Sequence, residues 1–198
     1  MSTPIKLRDY NNDWYRPGRS TAWRIGWIMI GSPIFRSSIL PFSRLRVALL
    51  RLFGAQIGNG VVLHSEITVK YPWHLTIGDD AWIGERAWID NLTTVHIGSN
   101  ACISQGAYLC TGNHDWTSPT FNLRIAPIFL GDGSWVAAMS TLLPGATLGE
   151  CAIAAAGSVV SGEIPPYEIF AGNPAVFVRE RNVEGSRTEQ HEWQEVAL

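Results

Sequence analysis

Cysteine and charge are both scarce in this chain. Its 198 residues include three cysteines, Cys102, Cys110 and Cys151, and no two of them have the CxxC spacing. This argues against a disulfide framework and against a zinc cluster, so we expect a reducing, cytoplasmic setting. No apolar run approaches the roughly 20 residues that a membrane span needs. The first twenty residues also lack the apolar core of a signal peptide.

Acidic residues are rare in the first quarter of the chain. Residues 1–54 contain nine Lys or Arg and two Asp, a net charge of +7, whereas the remainder contains six Lys or Arg and fifteen Asp or Glu, a net charge of −9. We expect a basic N-terminal arm, 1–54, followed by one main domain, because 198 residues of 46% hydrophobic composition suffice for one core. Nucleic-acid binding is disfavoured, since the basic residues are interleaved with apolar helix positions and the folded part is acidic.

A six-residue repeat begins at Ile57. Fourteen of its fifteen frame positions are Ile, Leu or Val. The next residue is Gly in six cases, and the fourth residue after the frame is Ala, Ser, Thr or Val in eleven. The frame positions are Ile57, Leu63, Val69, Ile77, Ile83, Ile89, Ile97, Ile103, Leu109, Leu130, Val136, Leu142, Leu148, Ala154 and Val160.

Period six fits neither an amphipathic helix nor one alternating strand, but it fits a solenoid with three short faces in each coil. The aliphatic side chains point to the axis and stack on equivalents 18 residues away, where their burial dominates stability. We expect the glycines to permit backbone turns that other residues resist. Two-residue insertions before Ile77 and Ile97 are expected to bulge at a corner.

The repeat breaks between Leu109 and Leu130. The spacing of 21 residues indicates a loop over 111–126, and long loops inside a compact repeat are often functional. His114 lies at the root of this loop, in "TGNHD". It is a candidate general base, and the alternative is a loop histidine that is satisfied by solvent or backbone.

Several stretches carry a resemblance to a known family. "IGDDAWIGERAWI", "IGSNACISQGAYL" and the segment from Leu130 to Arg181 resemble the hexapeptide-repeat acyltransferases. "RLFGAQIG", "YPWHLTIGD", "YLCTGNHD" and "AGNPAVFVRER" resemble in particular the colanic acid biosynthesis acetyltransferases, which are related to the maltose, galactoside and nodulation-factor O-acetyltransferases. The resemblance implies an all-β fold, a left-handed parallel β-helix over 55–181, between the helical arm and a polar tail, 182–198.

The resemblance also implies a reaction. In related enzymes the histidine at the start of this loop is the general base, a role that falls here on His114. A neutral imidazole takes the proton of a sugar hydroxyl as it attacks the thioester of acetyl-CoA, a fixed backbone N–H stabilises the oxyanion, and the thiolate leaves. Asp115 is a candidate for orienting the ring or contacting the substrate. Cys110 is a weaker nucleophile candidate, because its neighbourhood in sequence offers no charge to activate the thiol.

The motif match assigns six contacts to acetyl-CoA: Trp135, Ala138, Ala156, Ser161, Arg179 and Arg181. Trp135 is expected beside the acetyl and pantetheine end, and the backbone N–H of Ala138 is expected to face the thioester. Ala156 and Ser161 match backbone contacts along the pantetheine arm, and the two arginines suit the phosphates. Core packing remains open for the tryptophan, and ordinary surface charge remains open for the arginines.

The acceptor is expected at a corner before the loop, where Asp90 and Asn91 occur in "WIDNLTTV".

No metal is expected. The related β-helix carbonic anhydrases bind zinc through three histidines, two of which lie close together, and no such close pair occurs among His64, His74, His96 and His191. The family implies a homotrimer with active sites shared between subunits.

Two short amphipathic helices are predicted in the arm, over 21–31 and 42–53, separated by Pro33 and Pro41. They can cap the open end of the solenoid, or Trp23, Trp27 and the arginines can lie peripherally on an anionic membrane surface.

The sequence as a whole predicts a sugar O-acetyltransferase acting on an exopolysaccharide or related glycan precursor, which can be lipid-linked. The alternatives are N- or O-acetylation of an amino sugar or other small molecule, and a non-catalytic β-helix scaffold.

Overall fold

Short strands wind around one axis. The computed structural model describes residues 4–39 and 42–183. The strands, in chain order, are β1 (Gln56–Ile57), β2 (Val62–Leu63), β3 (Thr68–Val69), β4 (Leu75–Ile77), β5 (Trp82–Ile83), β6 (Trp88–Asp90), β7 (Val95–Ile97), β8 (Cys102–Ile103), β9 (Tyr108–Cys110), β10 (Gly112–His114), β11 (Leu123–Ile125), β12 (Ile128–Leu130), β13 (Trp135–Val136), β14 (Thr141–Leu142), β15 (Thr147–Leu148), β16 (Ile153–Ala154), β17 (Val159–Val160), β18 (Glu163–Ile164), β19 (Glu168–Ala171) and β20 (Val176–Glu180).

Three parallel sheets form the faces of the solenoid. The first face has the order β1-β4-β7-β12-β15-β18, the second β2-β5-β8-β13-β16-β19, and the third β3-β6-β9-β14-β17. The last strand, β20, pairs with β19 in antiparallel orientation and ends the second face. We call the turns that follow strands of the first, second and third face the first, second and third corners. The predicted all-β solenoid is therefore confirmed.

The frame residues form the core. Ile57 pairs in register with Ile77, which pairs with Ile97, and the other faces repeat this stacking. Every frame side chain after Ile57 is buried, with at most 5% of its surface exposed. The first coils span 20 residues rather than 18, because the inserted residues enter at the third corner, where Pro72–His74 forms a 3₁₀ turn.

The glycines that follow the frame are required for a reason other than the expected one. None of the six is among the residues with a positive φ. A Cβ atom on Gly78 would instead lie 2.5 Å from the amide nitrogen of Ser99, and one on Gly84 would lie 2.7 Å from that of Gln105. Neighbouring coils therefore approach too closely at these points for any side chain.

Alanine at Gly84 is expected to destabilise the fold by about 1–3 kcal/mol, because the added methyl group overlaps the backbone of the next coil. Gly162 provides the matched control, since nothing lies within 4 Å of a Cβ atom there. Its replacement is expected to change the free energy of unfolding by no more than about 0.5 kcal/mol. Urea unfolding of both variants measures the difference, and equal midpoints would contradict the close approach.

Residues with a left-handed backbone conformation, which has a positive φ, occur at the regular corners. They occur at the third residue after the frame in eleven of fifteen repeats: Gly60, Glu66, Asp80, Arg86, Asn100, Gly106, Gly133, Met139, Gly145, Cys151 and Gly157. The four exceptions follow Val69, Ile89, Leu109 and Val160, and all four lie at the third corner. The regular turn is thus abandoned at four of the five third corners, and only the one that contains Gly145 keeps it.

The arm is helical, with bounds that differ from the prediction. Its helices are α1 (Thr21–Gly26), α2 (Ser32–Arg36) and α3 (Ser43–Leu52), and a π turn over Trp27–Gly31 joins the first two. The helix therefore continues through Pro33, which was expected to end it. Pro33 removes one backbone N–H from this continuous stretch, and it does so directly after the π turn, where the regular α-helical hydrogen bonding is already interrupted. Pro41 and the tail from 184 onward lie outside the described residues.

Side chains of the arm cap the first coil. Each coil donates its backbone N–H groups to the next one, as Gly58 does to Ile77, so the first coil leaves carbonyls without a strand partner. Arg51 donates to the carbonyl oxygen of Ile57 on the first face, Ser43 to Val61 beside the second, and Trp27 to Val69 on the third. These bonds support the capping role. Each helix in the described part of the chain is too short or too polar to span a bilayer.

Candidate active site

A hairpin leaves the solenoid at the third corner. Strands β10 and β11 pair in antiparallel orientation, with His114 opposite Leu123. Thr111 ties the base of the hairpin to the solenoid, because its amide and its hydroxyl both donate to the carbonyl of Asp90, while its carbonyl accepts from the amide of Ala126. The hairpin is thus held at both of its ends, and His114 has a fixed place beside the corner.

The ring of His114 is held by Phe121. Its Nδ1 lies 2.9 Å from the carbonyl oxygen of Phe121, and its ring stacks on the Phe121 ring with centroids 4.5 Å apart and planes inclined by 6°. A carbonyl only accepts, so Nδ1 carries the proton and the lone pair of the neutral ring is on Nε2. Phe121 has a left-handed backbone, with φ of 50°, which is unusual for a bulky residue. The imidazole is therefore oriented as a base.

Asp115 does not orient this ring. Its carboxylate accepts from the amide and hydroxyl of Thr117 and pairs with Arg124 at 2.6 Å. The hydrogen bond from the Thr117 hydroxyl is the main cause that lowers the pKa of Asp115. Consecutive residues of an extended strand point to opposite faces, so Asp115 faces the hairpin turn while His114 faces the solenoid. The carbonyl of Phe121 orients the imidazole instead, and a contact of Asp115 with the substrate stays a prediction.

His114 opens into a polar cavity of about 450 Å³. Its walls come from the N-terminal segment, α1, the third corner and the hairpin. They are formed by Tyr10, Asn12, Tyr15, Pro17, Arg24, Lys70, Tyr71, Leu92, His114 and Leu123. None of the described residues that line it is Asp or Glu. The cavity combines a base, two cations and three tyrosines.

Residues 4–20 lie along this cavity, and we call them the strap. The amide of Lys6 donates to the carbonyl of Pro119 at the hairpin tip, and the Tyr15 hydroxyl donates to the carbonyl of Leu92. Further along, Trp73 and His74 both bond the carbonyl of Pro17 through their ring nitrogens. The sequence does not predict that Tyr10, Asn12, Tyr15 and Pro17 of the strap line the site, because "RDYNNDWYRPGR" has no periodicity. Its two tyrosines within a polar stretch were the available signal.

Stability is expected to depend on pH through His74. Burial lowers the pKa of His74 below its ordinary value of 6.5, the bond to Pro17 raises it, and Arg19 lowers it further. The unfolded chain therefore binds this proton more readily, so stability is complete above about pH 6.5 and declines as the pH falls through that value towards the folded pKa. Urea midpoints between pH 8 and 5 should fall less for His74→Gln than for the parent. The exposed His64→Gln is the control, and identical slopes for all three proteins would contradict this linkage.

The two acceptor candidates are placed differently from what was expected. Asn91 is completely buried, and its amide bonds both the amide and the carbonyl of Tyr71, which braces the corner and argues against contact with an acceptor. Asp90 is partly exposed and pairs with Lys70 at 2.8 Å, while the Tyr108 hydroxyl donates to its other oxygen. Asp90 thus adjoins the His114 cavity through Lys70 rather than lining it.

The cofactor candidates are distributed over several parts of the solenoid. Trp135 is on the second face, 41% exposed, and donates through Nε1 to the Ser104 hydroxyl, so it is not core packing. Ala138 and Ala156 belong to the second corner, where the carbonyl of Ala138 accepts from the amide of Gly157. Ser161 is at the third corner, and lines a cavity of about 750 Å³ beside Asn113.

The two arginines differ in their surroundings. Arg179 is exposed on β20, whereas one nitrogen of Arg181 donates to the carbonyls of Gly133 and Cys151 at the first corner. Arg181 therefore ties β20 to the solenoid. Within residues 4–39 and 42–183, no group of three or more His, Cys, Asp or Glu is arranged to hold a metal ion.

Relatives in sequence carry acetyltransferase names. The chain is 39% identical over 167 residues to the putative colanic acid biosynthesis acetyltransferase WcaF of Escherichia coli K12, across 84% of this chain and 91% of the relative. It is 28% identical over 140 residues to the galactoside O-acetyltransferase of the same strain, across 69% of each chain. No family model matches the chain.

Solved structures share the fold. A hexapeptide-repeat acetyltransferase from Vibrio cholerae, in complex with acetyl coenzyme A, matches with a TM-score of 0.75 at 21% identity, over 82% of this chain and 88% of that one. A galactoside acetyltransferase in complex with coenzyme A matches with a TM-score of 0.72 at 23% identity, over 81% and 82%. Together with the identity to WcaF, this shows that the chain belongs to the hexapeptide-repeat acetyltransferases, which fold as left-handed parallel β-helices.

Proposed function

We propose that the chain transfers an acetyl group from acetyl-CoA to a hydroxyl of a sugar in a glycan precursor. The observation that carries the proposal is the orientation of His114, whose Nδ1–H is bonded to Phe121 and whose Nε2 is left to accept a proton. The names of the relatives, a colanic acid biosynthesis acetyltransferase and a galactoside O-acetyltransferase, support the acetyl donor and the sugar acceptor.

The mechanism follows from the tautomer. The Nε2 of His114 takes the proton of the acceptor hydroxyl as that oxygen forms a bond to the thioester carbon. The carbonyl of Phe121 stabilises the imidazolium that results, because Nδ1–H remains bonded to it. Collapse of the tetrahedral oxyanion breaks the carbon–sulfur bond, and the proton on Nε2 passes to the thiolate. Donor and acceptor are bound together, and no acyl-enzyme forms.

We infer that a trimer completes the site. The base and the thioester must meet, yet His114 is at the third corner of a protomer whereas Ala138 is at the second corner, beyond the third face. In the trimer that we infer, side-by-side packing of copies around a threefold axis would bring the third corner of one protomer to the second corner of its neighbour. Each of three sites would then combine His114 of one chain with Trp135 and Ala138 of another.

Mixing two inactive variants tests this arrangement. His114→Ala removes the base, and Ala138→Trp blocks the expected thioester position. If sites are shared, trimers reassembled from a one-to-one mixture regain about a quarter of the parental activity, because one interface in four combines both intact surfaces. Each variant reassembled alone is the control. A mixture that stays inactive, although it elutes as a trimer, contradicts shared sites.

Release of free thiol from acetyl-CoA tests the reaction. Neutral sugars, sugar phosphates, uronic acids and amino sugars are offered in parallel, and the product is identified by mass spectrometry as an ester or an amide. An O-acetyl ester is the expected product. An amide as the main product indicates N-acetylation, and an absence of acetyl-CoA binding in calorimetry favours the scaffold.

The cellular setting stays a prediction. We expect a cytoplasmic protein, and peripheral contact of the arm with an anionic membrane is favoured by the exposed Ile28, Met29 and Leu52 and by the net positive charge of the arm. Trp27 does not take part in such contact, because it is buried against the first coil.

A further inference from the structure

The His114 cavity has an unbalanced positive charge. Arg24 and Lys70 both line it, and Lys70 is neutralised by Asp90 at 2.8 Å. Arg24 forms no ion pair with any other residue in the described part of the chain, and Asp90, which lines an adjoining cavity with Arg24 and Lys70, already pairs with Lys70. Two cations therefore share one carboxylate, which leaves one positive charge in excess. A lone cation in a partly enclosed site favours a ligand of opposite charge.

The guanidinium of Arg24 is also incompletely satisfied. Its Nε is buried and has no hydrogen-bond partner within residues 4–39 and 42–183. A buried donor without a partner costs free energy, and this Nε is enclosed by protein. The two terminal nitrogens of Arg24 also donate to none of those residues, so they are left for an acceptor on a ligand. The guanidinium carbon lies 5.8 Å from the centroid of the Tyr71 ring, and this cation–π contact holds the group in place. Arg24 is therefore a fixed donor that lacks an acceptor.

The rest of the wall suits a sugar. Tyr10, Tyr15 and Tyr71 provide aromatic surface and hydroxyl groups, and Asn12 adds an amide. The ring of Tyr10 is 5.8 Å from that of His114, so this wall adjoins the base. Such mixed surfaces bind the alternating apolar and hydroxyl parts of a pyranose. A neutral sugar, however, would leave the charge of Arg24 uncompensated.

We propose that the acceptor is a sugar that carries an oxyanion, and that Arg24 binds this group while His114 takes the proton of a hydroxyl in the same cavity. The oxyanion is a phosphate ester or a carboxylate, since the planar guanidinium fork fits both. This proposal rests on the proposed function, because it assumes that the cavity beside His114 receives the acceptor.

Acceptor kinetics test the proposal. Methyl glycosides, the corresponding sugar 1-phosphates and the corresponding uronic acids are compared with the parent, Arg24→Gln and Arg8→Gln, whose strap arginine is 80% exposed. The parent is expected to prefer at least one anionic class by about 10- to 100-fold in kcat/KM, the range of one charge-assisted hydrogen bond. Arg24→Gln should abolish that preference without changing the KM for acetyl-CoA, and Arg8→Gln should retain it. The preferred class tells phosphate from carboxylate.

Three outcomes would overturn it. Equal rates for neutral and anionic acceptors would show that Arg24 binds no anionic group of the acceptor. A raised KM for acetyl-CoA in Arg24→Gln would assign the arginine to the phosphates of the donor. Direct calorimetric titration with the same sugar phosphates and uronic acids, without acetyl-CoA, separates this proposal from the reaction. Binding that Arg24→Gln loses supports the anionic subsite even if no acetyl transfer occurs. Failure of the whole panel to bind the parent overturns the subsite.

Discussion

His114→Ala is expected to lower kcat for acetyl transfer by a factor of about 10²–10⁴, the usual contribution of a positioned general base. The KM for acetyl-CoA should change little, because the imidazole contacts Phe121 and the acceptor cavity rather than the cofactor candidates. Thiol release at saturating acceptor measures the effect. The loss should be largest with the hydroxyl acceptor that gives the highest parental rate.

His96→Ala is the matched control for that experiment. His96 is an exposed residue on the first face, in register with Thr76 and Phe129, and its removal should leave the rate unchanged. Both variants should unfold at parental urea concentrations, because neither ring belongs to the core. If His114→Ala turns over at the parental rate, the histidine is not the base and the orientation by Phe121 has no catalytic meaning.

Trp27→Ala is expected to have the largest effect on stability, a loss of about 3–5 kcal/mol in the free energy of unfolding. The indole is 2% exposed, packs against Phe35 and Phe53, and donates to the carbonyl of Val69 on the first coil. The substitution therefore opens a cavity under the cap and leaves a strand carbonyl without its donor. The urea midpoint measures the loss.

Two further variants divide that effect into its parts. Trp27→Phe keeps most of the ring but removes the donor, and is expected to lose about 1 kcal/mol beyond any change in packing. Trp23→Ala, one turn earlier in α1 and 40% exposed, should lose about 1 kcal/mol or less. If Trp27→Ala unfolds at the same urea concentration as Trp23→Ala, the arm does not cap the solenoid.

The fold was predictable from the frame because one requirement, an aliphatic residue at the axis, repeats along the chain. Ile83, Ile103 and Val136 satisfy it independently, so a few irregular positions do not obscure the period. The place of His114 was predictable for the same reason, since only a regular background makes an interruption visible. The role of the glycines could not be predicted, because the distance between neighbouring coils does not follow from the sequence of a single coil.

The walls of the site could not be predicted in this way. Tyr10 reaches the cavity because the strap crosses from Lys6 at the hairpin tip to Pro17 at the third corner, through contacts between residues far apart in sequence. Arg24 reaches it from α1, which follows the strap. The orientation of His114 depends on a left-handed Phe121, and the burial of Asn91 depends on the backbone of Tyr71. Each is a single tertiary contact without a repeat that would reveal it.

The capped first coil has a consequence for assembly. Its carbonyls at Ile57, Val61 and Val69 are bonded by side chains of the arm, and the second face ends at the opposite pole in an antiparallel strand, β20. Within residues 4–39 and 42–183, the carbonyl edge on which a second copy would continue the coil is therefore already bonded by the arm, and this blocks head-to-tail growth into a fibre. Copies of this protein can associate laterally, and the length of the rod is set by a single chain.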